Sequence, residues 1–187
     1  MSDIATGYNA EPYEHDSPLA AFGHSHDRIL SQMKRLQGLS AQLQRSGLDP
    51  NLRLAAGELY EFFHAAVLPH HDDEEKDLFP AMRRCAAKGD ERGLVESIIA
   101  RLEREHHELE ALWDRIEPAM RRLARGKAAT LDGAVVDELV SRYTAHAQFE
   151  EKAVLPLAQA MLKEGDQAAL SLSLALKRKP TWVRGYI

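Results

Sequence analysis

The sequence is poor in cysteine, in glycine and proline, and in long apolar runs. Its single cysteine, Cys85, excludes an internal disulfide. The eleven glycines and eight prolines among 187 residues are dispersed, and no segment has the composition of a low-complexity linker. No stretch approaches the roughly 20 consecutive apolar residues that a membrane-spanning helix needs, so we expect no membrane span.

Positive charge without compensating carboxylates is also missing. The formal net charge is −5, and because nucleic-acid binding needs clustered lysine and arginine, we expect no nucleic-acid partner. The compact basic run Lys177-Arg178-Lys179 is interpreted as a solvated helix end. The N-terminus has neither the basic start nor the apolar run of a secretory signal, which leads us to expect a cytoplasmic location.

Helix-forming residues, by contrast, are abundant, with Ala, Leu, Glu, Arg and Gln predominating. Helix starts are indicated by residues able to cap a helix, namely Ser17, Asp49, Asp90, and Thr130 or Asp132. The predicted helices cover 18–45, 50–87, 91–125 and 132–163, with a short fifth helix over about 166–178. The expected fold is an all-α, up-down-up-down four-helix bundle over 17–163, between an N-terminal arm at 1–16 and a C-terminal helix and tail at 164–187.

One motif occurs twice at an offset of 76 residues. Residues 70–80 read HHDDEEKDLFP and residues 146–156 read HAQFEEKAVLP, so both contain HxxxEEKx, two apolar residues and a proline. An internal duplication of a helix pair explains this repeat, and a weaker match of His26 with His106 gives every helix a histidine. Because proline removes a backbone donor, we predict helix kinks or local breaks at Pro69, Pro80 and Pro156.

Helical phase indicates which side chains face inward, because residues three or four apart share a face. One histidine on each helix, and on two helices a glutamate one turn later, continue the apolar stripe that faces the core. The predicted inward set is His26, His70, Glu74, His106, His146 and Glu150. Tyr60 and Tyr143 are also expected in the core, whereas His15 and His24 are expected at the surface.

This inward set predicts a metal centre, because burying six such polar groups without compensation costs several kcal/mol. Imidazole and carboxylate ligands suit iron, with manganese or zinc possible, and carboxylates from opposite helices can each bridge two ions. The coordination positions that these six residues leave open on the metal ions can take an oxo or hydroxo bridge, water, a small oxidant or a further carboxylate. The candidates for that carboxylate are Glu75, Glu110 and Glu151.

Several residues near the motifs are interpreted as lying outside the ligand set. Glu75 and Glu151 are expected to support ligand histidines or to be solvated. His64 and His71 are expected on a boundary or solvated face, although their spacing also allows a second small site. Cys85 is expected to be partly buried and inert.

On these motifs the sequence resembles the hemerythrin-like HHE cation-binding family. Helices of that family carry a lone His, then HxxxE with an LFP-like segment, then a His, then HxxxE, and the resemblance spans about residues 18–160. It implies a left-handed four-helix bundle and a non-haem di-iron centre. Oxygen-carrying hemerythrins have a second histidine on the third helix, where this sequence has Leu102 and Glu110. Their fourth-helix motif also ends in an aspartate five residues after its histidine, whereas Glu150 follows His146 by four, so efficient reversible oxygen carriage is not expected.

The expected function is that of a di-iron protein that binds or reduces dioxygen, peroxide or nitric oxide, and so acts as a sensor, a store or a detoxifier. A di-iron oxidoreductase is the first alternative, and a metal-buffering or structural bundle holding iron, manganese or zinc is the second. Fold and ligands are shared between these readings, so the sequence does not rank them. It indicates no protein partner and no electron donor.

Overall fold

The computed structural model describes residues 17–177, and within that range every regular element is helical. Helix α1 is Pro18–Ser46, α3 is Asp90–Ala124 and α5 is Glu164–Lys177. Helix α2 covers residues 50–85 as the α-helical segments Pro50–Phe62, Leu68–Asp73 and Phe79–Cys85. Helix α4 covers residues 133–161 as Gly133–Phe149 and Leu155–Met161. The predicted N-terminal arm, with His15, and the basic residues Arg178 and Lys179 lie outside the described residues.

Three helices begin at the residues that the capping pattern indicated, whereas Asp90 is the first residue of α3, and the residue before it, Gly89, makes no side-chain cap. Ser17 accepts a hydrogen bond from the backbone N–H of Leu19 at 3.3 Å, and Asp49 accepts one from Leu52 at 2.8 Å. Of the two candidates for the fourth start, Asp132 caps the helix. These side chains satisfy backbone donors that the first turn of a helix leaves free, and they fix where each helix begins.

The four long helices form a bundle in which α1 contacts α2 and α4, and α3 contacts the same two helices. Chain neighbours are thus neighbours in space, which is the up-down-up-down arrangement. The fifth helix packs against α1 and α2. The predicted all-helical bundle with a fifth helix is confirmed. None of the helices among residues 17–177 has the length and apolar character needed to cross a bilayer.

Three wide turns interrupt the regular α-helical bonding, at Phe63–Val67 and Glu74–Leu78 in α2 and at Glu150–Val154 in α4. Each is a π turn, closed by a hydrogen bond between residues five apart. The second residue after each turn is a proline, which cannot donate to the turn before it and would crowd the carbonyl there. The predicted kinks therefore take the form of π turns, and the helices continue through the prolines.

The core consists of two apolar clusters separated by a polar layer. Phe22 belongs to one cluster and Ile29 to the other, with His26 between them in α1. The same change of cluster occurs in the other three helices at the buried histidines. Since every helix changes cluster at its histidine, the polar side chains meet at one level of the bundle.

Candidate metal centre

All six residues predicted to face inward are buried and lie together in that polar layer. None of them is more than 5% exposed. His26 and His70 form one group with Glu74 and Glu150, and His106 and His146 form a second group with the same two glutamates. Within each group one potential ligand atom per residue lies within 4.8 Å of the others. The two groups share both carboxylates, and a third group joins His71 with His106 and His146.

Local helix geometry puts each histidine next to its glutamate. His70 Nε2 lies 3.4 Å from Glu74 Oε1, and His146 Nε2 lies 3.2 Å from Glu150 Oε2, each across one helical turn. Both glutamates are the first residues of π turns. The widened turns thus begin directly at the candidate ligands, which is where π turns are often found in functional helices.

The atoms that face the centre have no hydrogen-bond partner. His26 Nε2 approaches Glu150 Oε2 at 2.9 Å and Glu74 Oε1 at 3.8 Å, and His106 Nε2 approaches Glu74 Oε2 at 3.4 Å, without the direction of hydrogen bonds. Buried polar atoms are almost always paired, so a cluster without partners needs a physical cause. The unpartnered atoms are the Nε2 atoms of His26, His70, His106 and His146, both carboxylate oxygens of Glu74, and Oε2 of Glu150.

The opposite ring nitrogens of two histidines are held by carboxylates. His106 Nδ1 lies 2.7 Å from Glu75, and His146 Nδ1 lies 3.0 Å from Glu105. A carboxylate on Nδ1 fixes the proton there and leaves Nε2 free to bind a metal. The supporting role expected of Glu75 fits this contact. Glu151 lies farther from its histidine, 3.6 Å from His26 Nδ1.

Glu105 is a support that the sequence pattern did not reveal. It reaches from α3 to a histidine on α4, and Arg101 holds its other oxygen at 2.7 Å. The hydrogen bond from His146 and the nearby Arg101 lower the pKa of Glu105 to about 2, against a smaller opposing effect of burial. No sequence motif predicts this contact, because it depends on how α3 and α4 are aligned with each other.

Charge is unevenly distributed over three of these histidines, His26, His70 and His106. Burial lowers the pKa of His26, but Glu150 and Glu74 outweigh it and raise that pKa to about 10. His106 behaves alike, with Glu74 and Glu75 raising its pKa to about 9 against burial. Burial dominates at His70, whose pKa falls to about 3. The metal-free centre therefore holds protons mainly on His26 and His106, beside the carboxylates.

The two glutamates differ in the same way. Despite burial, the nearby histidines lower the pKa of Glu74 well below its ordinary value. Burial and the charge of Glu74 raise the pKa of Glu150. Two buried carboxylates at one site repel each other, and positive charge between them removes that repulsion.

His71 does not lie on a boundary or solvated face, and that expectation was wrong. The side chain is 2% exposed, and its ring stacks on His106 with centroids 4.1 Å apart. In both copies of the repeat two successive positions are buried, His70 and His71 in α2 and His146 and Ala147 in α4. A signal was available in the repeat, because His71 aligns with Ala147, which occupies an apolar and fully buried position.

Both ring nitrogens of His71 have partners. Nδ1 lies 3.1 Å from Glu110 Oε1, and Nε2 lies 3.2 Å from the Tyr143 hydroxyl. Tyr143 is fully buried, as predicted, and burial together with the charges of Glu74 and Glu150 raises its pKa well above the ordinary value. Glu110 thus pairs with a histidine and is not among the groups that could hold an ion.

The other singled-out residues lie away from the centre. His64 is 40% exposed and 3.9 Å from Glu117, and Tyr60, which is half-buried, donates a hydrogen bond to the same carboxylate. His24 is at the surface, as predicted. Cys85 is partly buried, and burial and Asp166 raise its pKa, which fits an unreactive thiol.

A cavity of about 860 Å³ borders the centre on its α1–α2 side. Its wall includes His70 and Glu110, together with Arg28 from α1 and Lys177 from α5. The two groups around Glu74 and Glu150 therefore differ in access, since the cavity reaches a ligand histidine only in the group of His26 and His70.

Comparison with known proteins agrees with this architecture. The family described as the hemerythrin HHE cation-binding domain matches residues 17–158, most of the chain. An uncharacterized protein of Haemophilus influenzae is 22% identical over 136 residues, which cover 73% of this chain and 76% of that protein. The matched range contains all six inward residues and both copies of the repeat. The chain belongs to the hemerythrin HHE cation-binding domain family.

Proposed function

We propose that this chain binds two iron ions in the polar layer and reacts with a small oxidant, so that it senses, stores or detoxifies dioxygen, peroxide or nitric oxide. The observation that carries the proposal is the cluster of buried nitrogen and oxygen atoms without hydrogen-bond partners. A pair of bound cations would satisfy these atoms and offset the cost of burying them.

In this proposal one ion would be held by His26 and His70 and the other by His106 and His146, with Glu74 and Glu150 available to both. Imidazole nitrogen with carboxylate oxygen suits iron, while manganese and zinc accept the same ligands. Four imidazoles and two bridging carboxylates supply fewer bonds than two six-coordinate ions accept. An oxo or hydroxo bridge and a small exogenous ligand can fill the rest.

Iron would supply electrons and open coordination positions for the oxidant, and the protein residues would do the remainder. Glu75 and Glu105 hold the rings of His106 and His146 in a fixed orientation. The apolar clusters on both sides of the layer exclude bulk water. The cavity at His70 gives small molecules a route to the centre.

Reversible oxygen carriage is disfavoured by the third helix. Leu102 is part of an apolar cluster, and Glu110 pairs with His71. Neither position supplies a further imidazole, so oxidised ions would depend more on oxygen ligands. We therefore expect air to convert the ferrous centre to an oxidised oxo- or hydroxo-bridged form.

A di-iron oxidoreductase is the second candidate, favoured by the volume of the cavity at His70, which exceeds what a diatomic molecule needs. In that case a reducing substrate would occupy the cavity and complete the cycle. A metal-buffering or structural bundle is the third candidate. It would bind iron, manganese or zinc and leave oxidants unchanged.

An anaerobic iron titration followed by exposure to air, peroxide and nitric oxide tests the proposal. We expect about two iron ions per chain and visible absorption changes that differ among the oxidants. Absence of binding to iron, zinc and manganese would refute the metal centre. Binding without any reaction would favour the buffering role, and a stable oxygenated form reversed by removing oxygen would favour a carrier.

A further inference from the structure

A hydrogen-bonded row of three side chains lies beside the proposed ligands. It runs from Glu110 through His71 to the hydroxyl of Tyr143, with distances of 3.1 and 3.2 Å. Glu110 lines the cavity, whereas His71 and Tyr143 are buried. The row therefore runs from the wall of the cavity to a buried tyrosine at the edge of an apolar cluster.

His71 is a positioning residue in this row and not a ligand. Its ring and that of His106 are parallel to within 3° at 4.1 Å. An imidazole binds a metal in the plane of its ring, and two parallel planes so separated cannot both contain one ion. The nitrogens of His71 are also in use, whereas Nε2 of each proposed ligand histidine lacks a partner.

Glu110 fixes the direction of the hydrogen bonds. An ionised carboxylate only accepts, so His71 Nδ1 carries the proton and donates it to Glu110. In a neutral imidazole the other nitrogen is then an acceptor, and His71 Nε2 accepts from the Tyr143 hydroxyl. The phenol has one proton, which this bond uses. Its oxygen is left as an acceptor.

The Tyr143 ring lies next to the candidate ligand His146. The Tyr143 ring lies 5.7 Å from that of His146, and the hydroxyl is held by His71, which has a ring nitrogen within 4.8 Å of those of His106 and His146. A small oxidant within hydrogen-bond reach of the Tyr143 oxygen would meet an acceptor and no free donor from the row.

We propose that Tyr143, positioned by His71 and Glu110, selects hydrogen peroxide over nitric oxide and dioxygen. Hydrogen peroxide brings two O–H donors, and one of them can bond to the phenol oxygen. Nitric oxide and dioxygen have no hydrogen to donate and gain nothing from an acceptor. The selection rests on the proposed function and sharpens it by naming the oxidant.

The first test uses metal-free protein and nitrogen NMR of labelled histidines. We expect His71 to be protonated at Nδ1 and its Nε2 to be an acceptor whose signal moves in Tyr143→Phe. Tyr60→Phe is the matched control, because it removes a hydroxyl bonded to Glu117 instead. Protonation of His71 at Nε2 in the wild type would overturn the proposal.

The second test compares iron-loaded variants with hydrogen peroxide and with nitric oxide. In Tyr143→Phe the rate of reaction with peroxide should fall about fivefold, the value of one hydrogen bond, while the affinity for nitric oxide stays the same. Tyr60→Phe should change neither. An unchanged peroxide rate, or an equal loss with both molecules, would overturn the selection.

A further variant guards against a folding defect. If Tyr143→Phe does not fold, Glu110→Ala takes its place, because Glu110 is partly exposed. Without Glu110, the proton of His71 is no longer fixed at Nδ1 and can move to Nε2. The ratio of the rate of reaction with hydrogen peroxide to the affinity for nitric oxide should then be lower than in the wild type. A ratio equal to that of the wild type contradicts the proposal. A wild-type protein that binds iron but reacts with neither molecule refutes the proposed function, and the selection with it.

Discussion

The two halves of the centre carry the same ligand types but are supported differently. In the α3–α4 half, carboxylates hold Nδ1 of His106 and His146 at 2.7 and 3.0 Å. In the α1–α2 half, His26 Nδ1 has no hydrogen-bond partner and His70 borders the cavity. Because outer partners fix ring orientation, the α3–α4 half is preorganised and the α1–α2 half is adaptable.

The difference corresponds to a position at which the two matched helices, α1 and α3, carry different side chains. At the position equivalent to Glu105, 80 residues earlier, stands Ser25, whose hydroxyl donates to the carbonyl of Ala21 in its own helix. Serine is too short to take over the support that glutamate gives across to a neighbouring helix. A repeat can thus conserve ligands while changing what holds them.

The shared glutamates should give the largest effect. Glu74→Ala and Glu150→Ala should each weaken the binding of both ions, because each carboxylate belongs to both groups. Elemental analysis after anaerobic loading should show little iron in either variant, against about two ions in the wild type. Glu61→Ala, an exposed glutamate on α2, and His24→Ala should load normally. Full loading of both central variants would refute the assignment, and a large loss in His24→Ala would show that the first-helix ligand is misassigned.

Removing the outer supports should separate the two halves. Glu105→Ala should lower the affinity for one ion by about 10- to 100-fold, as loss of a carboxylate that holds a ligand histidine commonly does. Glu151→Ala should have a smaller effect, because that carboxylate is 3.6 Å from His26 and makes no hydrogen bond with it. Competition with a chelator measures both affinities, with Ser25→Ala as the matched control. Equal losses in the two glutamate variants would remove the distinction between the halves.

Proton release on metal binding should show that one histidine in each half is protonated before the metal binds. With pKa values of about 10 and about 9, His26 and His106 are protonated at neutral pH, while His70, at about 3, is not. Metal binding requires neutral imidazole, so loading at pH 7 should release a proton from each of these two histidines and strengthen as the pH rises. Calorimetry in buffers of different ionisation enthalpy counts them. His26→Ala should lower the count by about one, and a count that stays unchanged would contradict this charge distribution.

The smallest effect is expected where α5 meets the α1–α2 half. Lys177 donates hydrogen bonds to Asp73 at 2.9 Å and to Asp77. These two aspartates lie on either side of Glu74 in the sequence of α2. Because the lysine is partly exposed, Lys177→Ala should lower the free energy of unfolding by about 1 kcal/mol or less. Thermal unfolding measures it, with exposed Lys152→Ala as the comparison. A loss of several kcal/mol would mean that α5 holds the half together.

Periodicity and capping were enough to predict the bundle and to bring the six inward residues together. Ser17, Asp49 and Asp132 cap helices because short-range geometry decides helix starts. The repeat correctly identified Glu74 and Glu150 as the glutamates that lie one helical turn after His70 and His146. Each of these features depends on residues close in sequence, and sequence therefore carries them.

The remainder of the centre depends on alignment between helices. Glu105 could not be predicted as a support, because its contact with His146 joins two helices over 41 residues. His71 was misplaced because helical phase alone favours one inward residue of two adjacent ones, whereas both His70 and His71 are buried, as are His146 and Ala147 in α4. Proline likewise indicates that helical bonding is interrupted, but not that the interruption takes the form of a π turn.

The π turns also determine where α2 and α4 tolerate changes in chain length. A π turn closes between residues five apart and an α turn between residues four apart, so a π turn holds one residue more. A single deletion within Glu74–Leu78 that spares Glu74 would therefore be absorbed by a return to α-helical bonding, and Phe79–Cys85 would keep its apolar face toward its cluster. The same deletion within the regular segment Pro50–Phe62 would rotate one part of the helix relative to the other by about 100°. Natural variation in length among related chains should therefore fall between the helices or at the π turns and spare the regular segments.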